Sequence, residues 1–302
     1  MPSRRSFLAL AAAAALWLPG EALAQSGEIM AVVGHDAPPY RDALNGLRQA
    51  FRDKGLSLRA VQLDAAGKLP RDIVPAAPRE ESPIIALGAR AVDALDSQAQ
   101  VRRRTLPCMV LDAGPRPGVE LTPDPGARIA LLRELLPAAR VVGVLYSDDN
   151  PPAAIGALSK AAAQAGLRLA GFHIDADLPL DRQLDALANE FGALLATFDL
   201  RIYSQPNAQA LLQFSYRHRI PLIGLSDAWT HAGALASTDW DYEDLGRQCG
   251  EMAWQMQQKA APLEQRGVPP RKLPYSINRS SAYFFRLAIP ERLARGARLM
   301  VD

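Results

Sequence analysis

The chain of 302 residues has little of what most enzyme chemistry needs. It holds four histidines and two cysteines. His35, His173, His218 and His231 are scattered, and no pair has the spacing of metal ligands. No G-x-S-x-G elbow and no G-x-x-x-x-G-K phosphate loop occurs. Ser226-Asp227 beside His231 comes nearest to a nucleophilic set, but Ser-Asp at a strand end reads as a helix cap. Asp148-Asp149 and the pair Asp239/Asp241 lack the glycine-punctuated loop of a calcium site and also read as caps. The expectation is therefore a chain that is not an enzyme and uses no cofactor and no metal. An excess of charge of one sign is missing too: Lys and Arg number 34 against 32 Asp and Glu. That balance gives no pull toward nucleic acid or acidic membranes. Arg102-Arg103-Arg104 reads as a solvated helix end.

Long apolar runs are also scarce. The one that occurs is N-terminal and has the parts of an export signal. Arg4-Arg5 is its basic region, residues 7–18 its apolar core, and Ala22-Leu23-Ala24 an A-x-A cleavage site. Residues 1–24 are read as a signal peptide. The Ser3–Leu8 stretch fits a twin-arginine signal, and a Sec signal with adjacent arginines stays open. No Cys stands at the cleavage site, so lipid attachment there is not expected. The mature chain is expected in the periplasm, with no insertion into the membrane after cleavage. Cys108 lies in the strand-like LPCMVLD and Cys249 on an apolar helix face. Both read as small buried hydrophobes, with a disulfide between them as the lesser alternative that export permits.

What is present is a strand–helix alternation. Ile29–Val33 is a fully apolar strand, followed by a loop through His35-Asp36 and a helix from about Arg41 to Lys54, ended by Gly55. Leu58–Leu63, Ile84–Leu87 and Pro107–Leu111 give three more strands. A short helix is expected between Asp64 and Ser82, and another from Gly88-Ala89-Arg90 through Gln98. The Pro- and Gly-rich stretch 114–126 reads as a linker. The pattern then restarts: helix Ala127–Leu136, strand Val141–Tyr146, helix Ala153–Ala165, strand Arg168–Ile174, helix Leu180–Phe191, strand Ala193–Thr197, helix Gln205–His218 and strand Ile220–Gly224. A second short strand is expected at His231–Ser237. A long helix to Lys259, a strand at Pro274–Asn278 and a terminal helix at Ser280–Ala288 follow. Too few strands remain there for a third core, so they must complete the two sheets already built.

The predicted fold class is α/β, with two Rossmann-like lobes of parallel sheet joined by several crossovers. Residues 25–117 with 239–273 form the first lobe, and 118–238 with 274–302 the second. In parallel sheets the strand C-terminal ends share one edge, where free helix N–H groups meet a ligand. The polar tips at that edge name the candidate contacts. They are His35, Asp36, Gly88, Ala89 and Arg90 in the first lobe. Ser147, Asp148, Asp199, Ser226 and Asp227 belong to the second, with Asp239 at a crossover. Arg90 suits a ligand carboxylate and equally reads as an exposed first-turn arginine. Tyr40, Tyr146, Phe198, Trp229 and Trp240 lie near the tips; each alone reads as packing, and together they suit a small flat organic ligand.

Three stretches carry a family resemblance. They are RELLPAARVVGVLYSDDNP (Arg133–Pro151), AGALAS with DYEDLGRQCGEMA (Ala232–Ala253), and SINRSSAYFFRLAIPERL (Ser276–Leu293). In this order they resemble bacterial ABC-transporter substrate-binding proteins of the type that includes tryptophan-binding members. The resemblance implies the type I periplasmic binding protein fold. It also implies capture of a small solute, an amino acid among the candidates, and delivery to an ABC permease in the inner membrane by a monomer. Two departures bear on specificity. The passage after Asp112 is shorter than in the family, and FDLRIYSQP (Phe198–Pro206) replaces a tip of small hydroxyl and amide residues. A lobe pair with a degenerate cleft, acting as an accessory or sensor through a protein partner, is the alternative.

Overall fold

The apolar run EIMAVV forms strand β1 (Glu28–Val33), buried along nearly its whole length, as a strand covered on both faces must be. The computed structural model describes residues 27–70, 82–148, 155–175, 177–259 and 266–302. The expected signal peptide, the tip residues Asp149, Asn150 and Pro151, and positions 71–81 of the expected short helix lie outside the described residues.

After β1 come α1 (Pro38–Arg52), β2 (Ser57–Gln62), β3 (Ile84–Leu87), α2 (Ala89–Asp96), α3 (Ala99–Arg102), β4 (Thr105–Val110) and β5 (Gly118–Glu120). The middle of the chain holds α4 (Pro125–Leu135), β6 (Val141–Tyr146), α5 (Gly156–Gln164) and β7 (Arg168–His173). It continues with α6 (Leu180–Asp185), β8 (Ala193–Leu195), α7 (Gln205–His218) and β9 (Leu222–Gly224). The last part holds α8 (Asp227–Ala232), β10 (Ala236–Thr238), α9 (Tyr242–Lys259) and β11 (Gly267–Val268). It ends with β12 (Tyr275–Asn278), α10 (Arg279–Phe284), α11 (Glu291–Gly296) and β13 (Leu299–Val301).

Among the described residues these strands form two sheets. The first has the order β11-β5-β4-β3-β1-β2 and is parallel throughout. The second, β13-β12-β10-β9-β8-β6-β7, is parallel except where β10 meets β12. Val33 lies opposite Leu87, and Leu87 opposite Cys108, so the strand C-termini of the first sheet reach one edge together. Tyr146 at the end of β6 lies beside His173 at the end of the edge strand β7. The chain passes between the sheets three times, at 121–124, 239–241 and 269–274. This is the two-lobe α/β architecture that the element order predicts.

The helices expected at Leu180–Phe191 and Ser280–Ala288 end earlier, at Asp185 and Phe284, an extra helix α11 follows, and four further details differ from the expectation. The stretch 114–126 is not linker throughout: Gly118–Glu120 pairs with both β4 and β11. The first sheet therefore extends past the expected boundary at 117/118, and Gly118 is needed because a Cβ there would meet Pro107 O at 2.4 Å. His231 does not begin a strand. Residues 227–232 form α8, which Gly233 ends at φ 120°, and only Ala236–Thr238 is strand. The short helix breaks what reads as one β run, because Gly233 gives the chain the positive φ that stops it. The tail adds β11 and β13, strands too short to stand out as apolar runs. Finally, Cys108 and Cys249 are joined by a disulfide, not separate thiols. Both are fully buried in the first lobe's core, and α9 lies on β4 closely enough to bring their Cα atoms to 6.5 Å.

α9 is held to the first lobe by a close crossing with α1. A Cβ on Gly46 would lie 1.9 Å from Glu243 O, and one on Gly246 2.0 Å from Ala43 O. A Cβ on Gly250 would lie 2.7 Å from the Ala50 Cβ. Small residues let the two backbones touch, and Leu47, Phe51, Leu245 and Met252 close the seam around them.

Candidate functional site

Several expected contacts sit at the strand ends but bind one another. Ser147 donates through its amide (2.6 Å) and hydroxyl (2.8 Å) to Asp199 Oδ2. The amides of Arg201 and Ile202 donate to Asp199 Oδ1. Ser147 is 1% exposed and Asp199 2%, so this pair ties β6 to the loop after β8 and presents little to a ligand. Asp227 and Asp239 come together through Arg298, whose Nη2 donates to both carboxylates while its Nη1 donates to Trp240 O. No motif marks Arg298, since it lies 59 residues from Asp239 in sequence.

In the first lobe, the His35 ring lies 5.5 Å from that of Tyr40. Gly88 has φ 87°, and a Cβ there would lie 2.7 Å from the Tyr40 hydroxyl, so glycine is required on both counts. Burial pushes the Tyr40 hydroxyl above its ordinary pKa, with Arg90 opposing. Tyr242 is raised as well, by burial first and by Asp239 beside it. Asp36 pairs with Arg41, and Asp148 with His173, both on the surface. Ala89 opens α2 and is exposed. Arg90 donates to Ala65 O and lies over Gly67, lining a separate depression beside Lys68 and Asp93. Ser226 precedes α8 without making a side-chain cap bond. Among the described residues no three His, Cys, Asp or Glu side chains are grouped to hold a metal ion.

Between the sheets lies a cavity of about 340 Å³, within the size range of small-molecule sites. Leu111, Leu121 and Thr122 line it from the first lobe and the first crossover. Ile155, Thr197 and Phe198 line it from the second lobe. None of the expected contact residues does so, although Thr197 and Phe198 immediately precede Asp199. Phe198 also packs on Trp240, ring centroids 5.0 Å apart, which joins the cavity wall to the second crossover.

Sequence reasoning missed Arg128 in this wall. Asp124 caps α4 by accepting from Gly126 N, and the first turn then carries Arg128 inward. It is 3% exposed, its Nη2 donates to Ala196 O at 2.6 Å, and its Nε has no partner. Burial pulls its pKa down to about 10, with Tyr203 opposing. A signal was available, because Arg128 occupies the buried stripe of α4 with Leu131, Leu132 and Leu135. A charge at a core position of a helix is unusual enough to mark.

Comparison with known proteins fits this geometry. The family model for ABC transporter substrate binding proteins matches residues 118–301. The chain belongs to that family. No curated protein matches it in sequence. Among solved structures, it is similar to the ABC domain in complex with L-Trp from Streptococcus pneumonia, at 17% identity and TM-score 0.61. The alignment covers 91% of this chain and 100% of that one. A conserved domain protein of Vibrio cholerae gives 17% identity and TM-score 0.63 over 91% and 100% of the two chains. The ligand-free, open substrate binding protein CD0873 of Clostridium difficile gives 14% and 0.68 over 91% and 99%. At these identities the structural likeness speaks for the fold, which is that of type I periplasmic binding proteins. Family membership makes a small-molecule ligand and an ABC transporter the expected partners of this substrate-binding protein. Among the described residues no helix is long and apolar enough to cross a membrane.

Proposed function

We propose that this substrate-binding protein captures a small organic solute between its lobes in the periplasm. It passes the solute to an ABC permease in the inner membrane and catalyses no reaction. The observation that supports this reading is the cavity at the strand ends, walled by Leu111 and Leu121 on one side and by Ile155 and Phe198 on the other. A solute there touches both halves, so binding favours the closed arrangement. The three crossovers are the segments about which the lobes, divided after Glu120, would swing. The structural neighbour that holds L-Trp makes amino acids a natural class to screen first.

A thermal-shift screen over amino acids, organic acids, amines, sugars and inorganic anions tests the reading. A true solute raises Tm with concentration, by about 2.7 kcal/mol of stability at a hundredfold excess over Kd. Mass spectrometry of the native protein identifies any compound carried through purification. If no class raises Tm and nothing is carried through, a role exerted through a protein partner replaces solute capture.

A further inference from the structure

The polar inventory of the interlobe cavity is lopsided. Its one charged lining residue is Arg128, and no acidic side chain lines it among the described residues. Neighbouring acids are engaged elsewhere. Asp124 holds Gly126 N, Glu120 accepts from Ala113 N, Asp199 holds Ser147, and Asp227 and Asp239 share Arg298. Arg128 itself has one hydrogen bond, to a carbonyl, and a buried Nε without a partner. Buried cations normally face an anion or neutralise. At about 10, the pKa of Arg128 leaves the guanidinium charged at neutral pH. Thr122 adds a hydroxyl to the lining. Apart from Thr197, whose hydroxyl donates to Leu145 O, the rest of the wall is apolar, and Leu111 is 51% exposed in a cleft that a solute would cover.

We infer that the cavity binds an apolar organic acid through its carboxylate on Arg128 and discriminates against the zwitterionic amino acid of the same frame. This inference rests on the reading of the cavity as the solute site. A carboxylate supplies the anion that the buried guanidinium of Arg128 lacks, in a charge-assisted contact. An α-ammonium in the same position finds no carboxylate and loses its hydration. The apolar body fills the space between Leu111, Leu121, Ile155 and Phe198.

Matched trios test it: 3-phenylpropanoate, L-phenylalanine and 3-phenylpropanamide, with the indolyl and isobutyl equivalents. Calorimetric titration uses protein stripped of carried-over solute by unfolding and refolding. In at least one trio the acid should bind about tenfold or more tightly than both relatives, the size of one charge-assisted contact. Arg128→Met should lose that preference, and Arg128→Lys should keep part of it. An amino acid that equals or exceeds its own acid overturns the inference. So does acid affinity unchanged in Arg128→Met, or a wider screen that yields only non-acid ligands. In each of those cases solute binding itself still stands. If no compound of any class binds, the parent reading falls and takes this one with it. Should Arg128→Met fail to fold, the wild-type ranking and Arg128→Lys decide.

Discussion

The seam between α1 and α9 and the cavity between the lobes are both interior, yet they follow opposite rules. In the seam, Gly46 and Gly246 bring backbones into contact, the Cys108–Cys249 bond crosses nearby, and apolar side chains fill the rest. At its polar edge Gln49 donates to Glu243 and Arg247 donates to Gln49, while further along α9 Gln257 Oε1 is buried without a partner. Around the cavity and crossovers, Arg128 Nε, Asp227 Oδ1 and Trp240 Nε1 are buried without partners. Each such atom costs about 1–3 kcal/mol. Close packing and the disulfide are concentrated where α9 clasps the first lobe, while three of the buried unpartnered atoms lie where the lobes face each other. That separation is expected of a protein that must stay folded yet leave something for a ligand to complete.

Breaking the seam should have the largest effects. The double variant Cys108→Ala/Cys249→Ala removes a bond between residues 141 apart in sequence. It should lower unfolding free energy by about 4 kcal/mol, the upper part of the usual range for a long closed loop. Urea midpoints of the variant and of reduced wild type should agree. If neither moves, the bond is incidental to the clasp. Gly246→Ala should cost about 3 kcal/mol, because its Cβ meets the Ala43 carbonyl and not a side chain that can turn aside. A wild-type midpoint would show that the helices can separate freely. At the crossover, Arg298→Met leaves Asp227 and Asp239 facing each other. Arg298 is partly solvated, so the loss should be about 1–2 kcal/mol. A larger loss would move the crossover to the seam's side of the comparison.

The seam was partly legible and the cavity hardly at all. Leu245, Cys249, Met252 and Met256 recur at helical spacing, so the buried face of α9 could be read directly. The β-strand runs 29–33, 84–87 and 141–146 are continuous apolar stretches, and the structure has strands there. The disulfide was not legible, because two cysteines in apolar segments look the same bonded or free until the fold brings β4 under α9. Polar residues at strand ends were found by pattern, but pattern does not tell which tips turn inward to each other. Ser147 and Asp199 are 52 residues apart and consume each other's hydrogen bonds. Phe198 was noticed as an aromatic near a tip, and it does reach the cavity. Arg128 lies in a helix and not at a strand tip, so a search of the tips does not reach it, although its place on the leucine stripe sets it apart.

The smallest expected effect on stability belongs to the residue given the largest role in binding. Arg128→Met removes a buried cation that no carboxylate accompanies and loses one hydrogen bond to Ala196 O. The two changes oppose each other, and replacing buried charge by a well-packed hydrophobe is often neutral or better. Without ligand the variant should lie within about 1 kcal/mol of wild type at pH 7. The sign with pH follows from burial. The folded pKa of Arg128, about 10, lies below the ordinary arginine value, so the folded state holds that proton less tightly than the unfolded chain. The penalty is fully present below pH 10 and fades as pH rises from there toward the ordinary arginine range. Wild type should therefore gain on Arg128→Met between pH 9 and pH 11, read as converging or crossing urea midpoints measured in parallel. A loss at pH 7 as large as that of the disulfide variant would make Arg128 a strut of the second lobe, and the contrast between seam and cavity would no longer hold.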